Sequence, residues 1–147
     1  MRASSEKHNP GQMIHQKYNL TYHHTGCLTR DIEESKNLYA GMGFNDFSKT
    51  YIVSDQNVKV CFIEMSPGIF LELVEPMDNN VPLNKLLKNK VTFYHLGYLT
   101  DKFEETVQNL QDDGFYLLNS FKSEAFSNRY CAFLYTPEMH LIEIIER

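Results

Sequence analysis

Two kinds of hydrophobic spacing alternate along this chain, and their order is written twice. Apolar residues two apart mark strands, and apolar residues three and four apart mark helices. Tyr22 to Thr29 has strand spacing. Arg30-Asp31 then opens a helix over Ile32 to about Ala40, with Asp31 as N-cap, Glu33 and Glu34 in the first turn, and Ile32, Ser35, Leu38 and Tyr39 on one face. Gly41-Met42-Gly43 stops it. Strands are expected over Phe44 to Val53, Val58 to Met65 and Ile69 to Glu75, with turns at Asp55-Gln56-Asn57 and Ser66-Pro67-Gly68. Pro82 to Asn89 suits a short helix with Leu83, Leu86 and Leu87 inward. The unit then restarts. Strand Thr92 to Thr100 is followed by helix Lys102 to Asp113, the stop Gly114, and strands Phe115 to Ser120, Asn128 to Tyr135 and Leu141 to Glu146.

Each half is therefore β-α-β-β-β, and a constant offset of 71 residues relates the halves. His24, Gly26 and Leu28-Thr29 meet His95, Gly97 and Leu99-Thr100. Glu33-Glu34 meets Glu104-Glu105, and Gly43-Phe44 meets Gly114-Phe115. Asn57 meets Asn128, Phe62 meets Phe133, and Leu71-Glu72-Leu73 meets Ile142-Glu143-Ile144. Shared periodicity alone does not match Gly, His and Glu, so this is an internal repeat. It divides the chain into a polar arm (1–17), a first module (18–76), a joining helix (77–91) and a second module (92–147). The last three are expected to form one domain.

Composition narrows the function. Net charge is −5, which excludes a basic nucleic-acid footprint. No apolar run approaches the roughly 20 residues that span a bilayer. No apolar stretch follows Arg2 and Lys7, so a secretory leader is not expected. Cys27, Cys61 and Cys131 lack metal or disulfide spacing and sit in apolar runs, as befits a reducing cytoplasm.

The repeat also selects the candidate chemistry. Glu72 and Glu143 each sit between two aliphatic residues in a strand, and so point to the face opposite those neighbours. A glutamate there needs solvent, a partner or a metal. Each half contributes one such glutamate and one strand histidine, His24 or His95. Pseudo-symmetry would gather them as two imidazoles and two carboxylates, a donor set for Zn, Co, Ni, Mn or Fe(II).

Other residues are read more plainly. His23 adjoins His24 and, in a regular strand, points to the opposite face. His8 and His15 belong to the arm, and His140 to a turn. Tyr22, Tyr94 and Tyr98 are read first as core packing, with pocket lining as the alternative. Lys85, Lys88 and Lys90 form a solvated run, or a contact for an anionic group such as coenzyme A phosphates.

These residues resemble the vicinal oxygen chelate superfamily, which includes glyoxalase, bleomycin-resistance and dioxygenase proteins. The resemblance runs from Tyr22 to Arg147. Its carriers are His23-His24-Thr25-Gly26, Asp31 to Ser35, Leu71-Glu72-Leu73-Val74-Glu75-Pro76, Tyr94-His95-Leu96-Gly97 and Leu141-Ile142-Glu143-Ile144. It is closest to methylmalonyl-CoA epimerase-like and glyoxalase-like members. It implies an α+β fold of two βαβββ modules in an open barrel. It further implies one divalent metal ion on His24, Glu72, His95 and Glu143, with Glu143 doubling as the base. The implied activity is that of an isomerase, epimerase or lyase acting on a small acyl substrate such as an acyl-CoA thioester, in a paired chain. An Fe(II) dioxygenase and a non-catalytic binding or resistance protein are the alternatives. Two departures stand out. Val58 to Phe62 carries no carboxylate that could serve as a second base, and Ser120 to Asn128 has no recognisable pattern.

Overall fold

The computed structural model describes residues 17–147. The expected arm lies outside these except for Lys17, whose ammonium pairs with Asp113 at 2.7 Å. Eight strands form one sheet: β1 (Thr21–Leu28), β2 (Tyr51–Val53), β3 (Val58–Ser66), β4 (Ile69–Pro76), β5 (Phe93–Thr100), β6 (Tyr116–Ser123), β7 (Arg129–Tyr135) and β8 (Leu141–Glu146). Three α-helices accompany them: α1 (Ile32–Gly41), α2 (Val81–Lys88) and α3 (Phe103–Asp112). The fold is α+β, and its spatial order is β2-β3-β4-β1-β5-β8-β7-β6.

That order follows from the repeat. Within each half the first and last strands pair in parallel, β1 with β4 and β5 with β8. A parallel pair needs a crossover, which α1 or α3 begins in each half. The halves join where β1 runs antiparallel to β5. The sheet curls into a half-barrel. Its far edges approach each other through two single 3-10 turns, where the Ser54 hydroxyl donates to Glu124 at 2.9 Å.

Local chemistry explains the element ends. Asp31 caps α1 by accepting from the Glu33 and Glu34 amides at 2.8 and 3.2 Å. Gly43 and Gly114 adopt φ of 100° and 94°, which glycine alone takes without strain, and so end the repeated helices. Asn57 and Asn128 are both left-handed, a conformation asparagine tolerates better than most residues.

Each face of the sheet has its own core. Leu71, Leu73, Cys61 and Ile63 pack outward against Ile32 and Tyr39 of α1. Ile142, Ile144, Ala132 and Leu134 pack outward against Val107 and Leu110 of α3. Burying one such side chain is worth about 2 kcal/mol. Val60, Phe62, Val74, Phe121, Phe133 and Ile145 from both halves meet inside the curl, with Leu87 of α2. Val74 and Ile145 share this inner side with Glu72 and Glu143, as alternation requires.

Two sequence expectations are corrected. Phe44 to Val53 is mostly irregular. Only Tyr51–Val53 is strand, joined by a lone bridge between Phe47 and Ile63. The rest is held by Ser48, whose hydroxyl accepts from the Phe62 amide at 2.9 Å. Leu38 is 62% exposed, because the short α1 touches the sheet mainly through Ile32 and Tyr39. Among the described residues, no helix is long and apolar enough to cross a membrane.

Candidate metal centre

The four central strands, β4, β1, β5 and β8, each supply one member of a buried cluster on the inside of the curl: Glu72, His24, His95 and Glu143. Strand register sets two short rows. Glu72 and His95 both pair with Gly26, while His24 and Glu143 both pair with Gly97. A glycine thus stands at the middle of each row, and the histidine of the other half leans into the space it leaves. Phe62 extends the first row beside Glu72, and Phe133 extends the second beside Glu143.

One donor atom from each residue lies within 4.8 Å of all the others. The two imidazole Nε2 atoms are 3.0 Å apart. Glu72 Oε1 is 3.5 Å from His24 Nε2 and 3.3 Å from His95 Nε2. Glu143 Oε1 is 3.2 and 3.4 Å from the same atoms. Donors bound to one ion at about 2.1 Å stand roughly 3.0–3.4 Å apart. The spacing therefore fits a divalent cation.

All four side chains are buried. His24, Glu72, His95 and Glu143 are 0, 5, 4 and 4% exposed. Buried carboxylates are costly unless paired. Glu143 Oε1 makes no well-directed hydrogen bond, despite its two imidazole neighbours. Burial pulls the His95 imidazole down, but Glu143 and Glu72 outweigh it and hold it up at about 9. Burial pushes the Glu143 carboxyl up, but His24 and His95 outweigh that and hold it at about 2. The carboxylates and imidazoles thus stabilise each other's charged forms, and two carboxylates with two imidazoles could hold a metal ion.

Known proteins share this arrangement of chain. The profile of the Glyoxalase/Bleomycin resistance protein/Dioxygenase superfamily matches residues 23–133. The chain belongs to that superfamily. It is 25% identical over 126 residues to the "Uncharacterized protein YqjC" of Bacillus subtilis (strain 168), covering 84% of this chain and 89% of that one. Methylmalonyl-CoA epimerase from Mycobacterium tuberculosis superposes with a TM-score of 0.79 at 18% identity, over 90% of this chain and 92% of that one. A Streptomyces coelicolor methylmalonyl-CoA epimerase in complex with 2-nitronate-propionyl-CoA superposes with a TM-score of 0.71 at 20% identity, over 86% and 93% of the two chains. At identities this low, the two superpositions show a common fold and no more.

In this member of the superfamily a cavity borders Glu72, His95 and Glu143. Its remaining walls are mostly apolar, from Val53, Val58, Val60, Val74, Phe121 and Phe133, with Gln56, Ser123 and Tyr94 as polar lining. A broader cleft of about 440 Å³ shares Gln56, Leu83, Tyr94 and Phe133 with it and adds Asn57, Asn80 and Asn119. Tyr94 is thus a lining residue as well as a packing one, and burial holds its hydroxyl well above the usual phenol range. Tyr22 and Tyr98 do pack, edge to face on each other.

His23 departs from strand alternation. Pairing of β1 with β5 shifts between Tyr22 and His24, so His23 occupies a bulge. Its ring lies against Phe62, Phe70 and Phe126, on the same side as His24. Burial lowers its imidazole to about 4, with the neighbouring His24 adding to the effect. His140 is exposed, and its amide donates to the Thr136 hydroxyl at 3.0 Å. Lys85, Lys88 and Lys90 are exposed.

Proposed function

We propose that the chain is a divalent-metal-dependent isomerase, epimerase or lyase that abstracts the proton alpha to a carbonyl of a small acyl substrate. The observation that carries this reading is the convergence of His24, Glu72, His95 and Glu143 in one buried cluster, the last three of them bordering a mostly apolar cavity. When bound, a divalent ion would polarise the substrate carbonyl and acidify the adjacent carbon. His24 and His95 would hold it through neutral imidazole nitrogens, His95 releasing the proton that Glu143 and Glu72 favour in the free site, and Glu72 and Glu143 would hold it through carboxylate oxygens.

Glu143 is the base in this reading. It is ionised at neutral pH and its Oε1 has no hydrogen bond to give up. Such a weak base needs a carbon already made acidic, which is what carbonyl polarisation provides. No carboxylate of β3 lines the cavity, but Glu72 stands across from Glu143 on the other half of the repeat. This reading assigns Glu72 the proton on the opposite face. The apolar walls around the cluster exclude water and strengthen these charges.

The substrate class is inferred from the fold relative and from the wider cleft. The cavity at the cluster itself holds only about 30 Å³, so the bulk of any substrate would lie in the adjoining cleft of about 440 Å³. The fold relative is in complex with 2-nitronate-propionyl-CoA, and the class is accordingly an acyl-CoA thioester. The exposed lysines 85, 88 and 90 are candidates for its phosphates. A fourth protein donor, Glu72, separates this reading from an Fe(II) dioxygenase with two imidazoles and one carboxylate. The test is exchange of the alpha proton of propionyl-CoA or methylmalonyl-CoA in deuterium oxide, followed by mass spectrometry. Exchange that requires added metal and Glu143 supports the reading. Metal-loaded protein that exchanges neither thioester, nor the adduct of methylglyoxal with a thiol, contradicts it.

A further inference from the structure

Strands β1 and β5 each break their regular pairing twice over their shared length, and the breaks leave one extra residue on each strand. On β1 it is His23, between Tyr22 and His24; on β5 it is Tyr94, between Phe93 and His95. These two are themselves related by the 71-residue repeat. Each bulge turns its residue to the side of the buried histidine that follows. The rings then meet edge to face, at 5.1 Å and 88° for His23 on His24, and at 4.5 Å and 87° for Tyr94 on His95.

The two halves differ in what those contacts provide. His23 Nδ1 lies 2.9 Å from His24 Nδ1. His95 Nδ1 is buried with no hydrogen-bond partner. The repeat thus places one anchored and one unanchored imidazole at the same cluster.

We propose that His23 is a positioning residue, accepting the Nδ1–H of His24 so that the Nε2 lone pair of His24 faces the cluster. The proposal rests on the reading of that cluster as a metal site. A neutral imidazole has one N–H. If Nε2 of His24 is to donate electrons to a cation, its proton sits on Nδ1 and needs an acceptor there. His23 Nδ1 is that acceptor, with its own proton on Nε2. Phe62, Phe70 and Phe126 surround the His23 ring and fix its plane. Tyr94 fills the matching position without offering an acceptor to His95. His24 is therefore the fixed donor of the pair and His95 the adjustable one.

The test compares wild type with His23→Phe, which keeps a ring and removes the acceptor, and His23→Asn, whose Oδ1 restores one near the place of Nδ1. Zn²⁺ affinity is measured by competition with a chromophoric chelator. The tautomers are read in metal-free wild type by proton–nitrogen correlation spectroscopy of the imidazoles, which needs no variant to fold. The expected result is the Nδ1–H tautomer at His24, a loss of about 10–100-fold in affinity in His23→Phe, and substantial recovery in His23→Asn. Wild-type Zn²⁺ affinity in a folded His23→Phe, or the Nε2–H tautomer at His24 in wild type, overturns the proposal. If wild type takes up Co, Ni, Mn or Fe(II) in place of Zn²⁺, the comparison is run with that ion; a wild type that takes up none of them overturns the metal reading itself and is told apart because all three proteins then fail alike.

Discussion

The imidazole of His95 lies over the Cα of Gly26, so close that a methyl group built on that glycine would overlap the ring. The His24 ring stands in the same relation to Gly97. Neither glycine has a positive φ, so space and not backbone freedom is what the position demands. The His-x-Gly spacing in each half is thereby explained across the halves: each glycine makes room for the other half's histidine.

Gly26→Ala and Gly97→Ala are therefore expected to displace an imidazole from the cluster. Each should destabilise the fold by about 1–3 kcal/mol through overpacking, read by urea denaturation. Metal affinity should fall further than Gly41→Ala does, because an added Cβ at Gly41 meets nothing within 4 Å.

Glu143→Gln keeps the shape of the side chain and removes its charge. The expected loss in alpha-proton exchange is about 10²–10⁴-fold, with the fold unchanged by circular dichroism. Metal content is measured on the same sample, so that loss of the base is separated from loss of the ion.

The three cysteines are buried, and burial pushes each thiol above its usual range. A thiol reagent at neutral pH should find none of them in the native protein and all three after unfolding in denaturant. Reaction of any one at native rates would contradict the packing of the core around Cys27, Cys61 and Cys131.

Metal removal should act on stability as well as activity. At a free concentration 100 times its dissociation constant, a bound ion adds about 2.7 kcal/mol. For a chain of this size that corresponds to a Tm higher by roughly 5–10 °C than after chelation. Thermal unfolding with and without a chelator measures it.

Much of this architecture is legible in the residues because the chain states it twice. Gly43 with Gly114, and Asn57 with Asn128, recur because their backbone conformations recur. Phe62 and Phe133 recur because each flanks a cluster glutamate. What stayed hidden depends on register between strands distant in sequence. The bulges at His23 and Tyr94 arise from how β1 pairs with β5, and a period of two cannot reveal them. An aromatic residue immediately before the histidine in both halves was the available signal. The stretch from Phe44 to Thr50 misleads for a similar reason. Phe44 and Phe47 pack on the outer core, and a lone bridge at Phe47 with the Ser48 hydrogen bond takes the place of a ladder.

The central claim is tested most directly by metal stoichiometry. Wild type and His95→Ala are incubated in turn with Zn, Co, Ni, Mn and anaerobic Fe(II), desalted, and assayed for bound metal by elemental analysis beside circular dichroism. About one ion per chain in wild type, lost in His95→Ala, is the predicted result. A folded wild type that retains none of these ions would contradict the account.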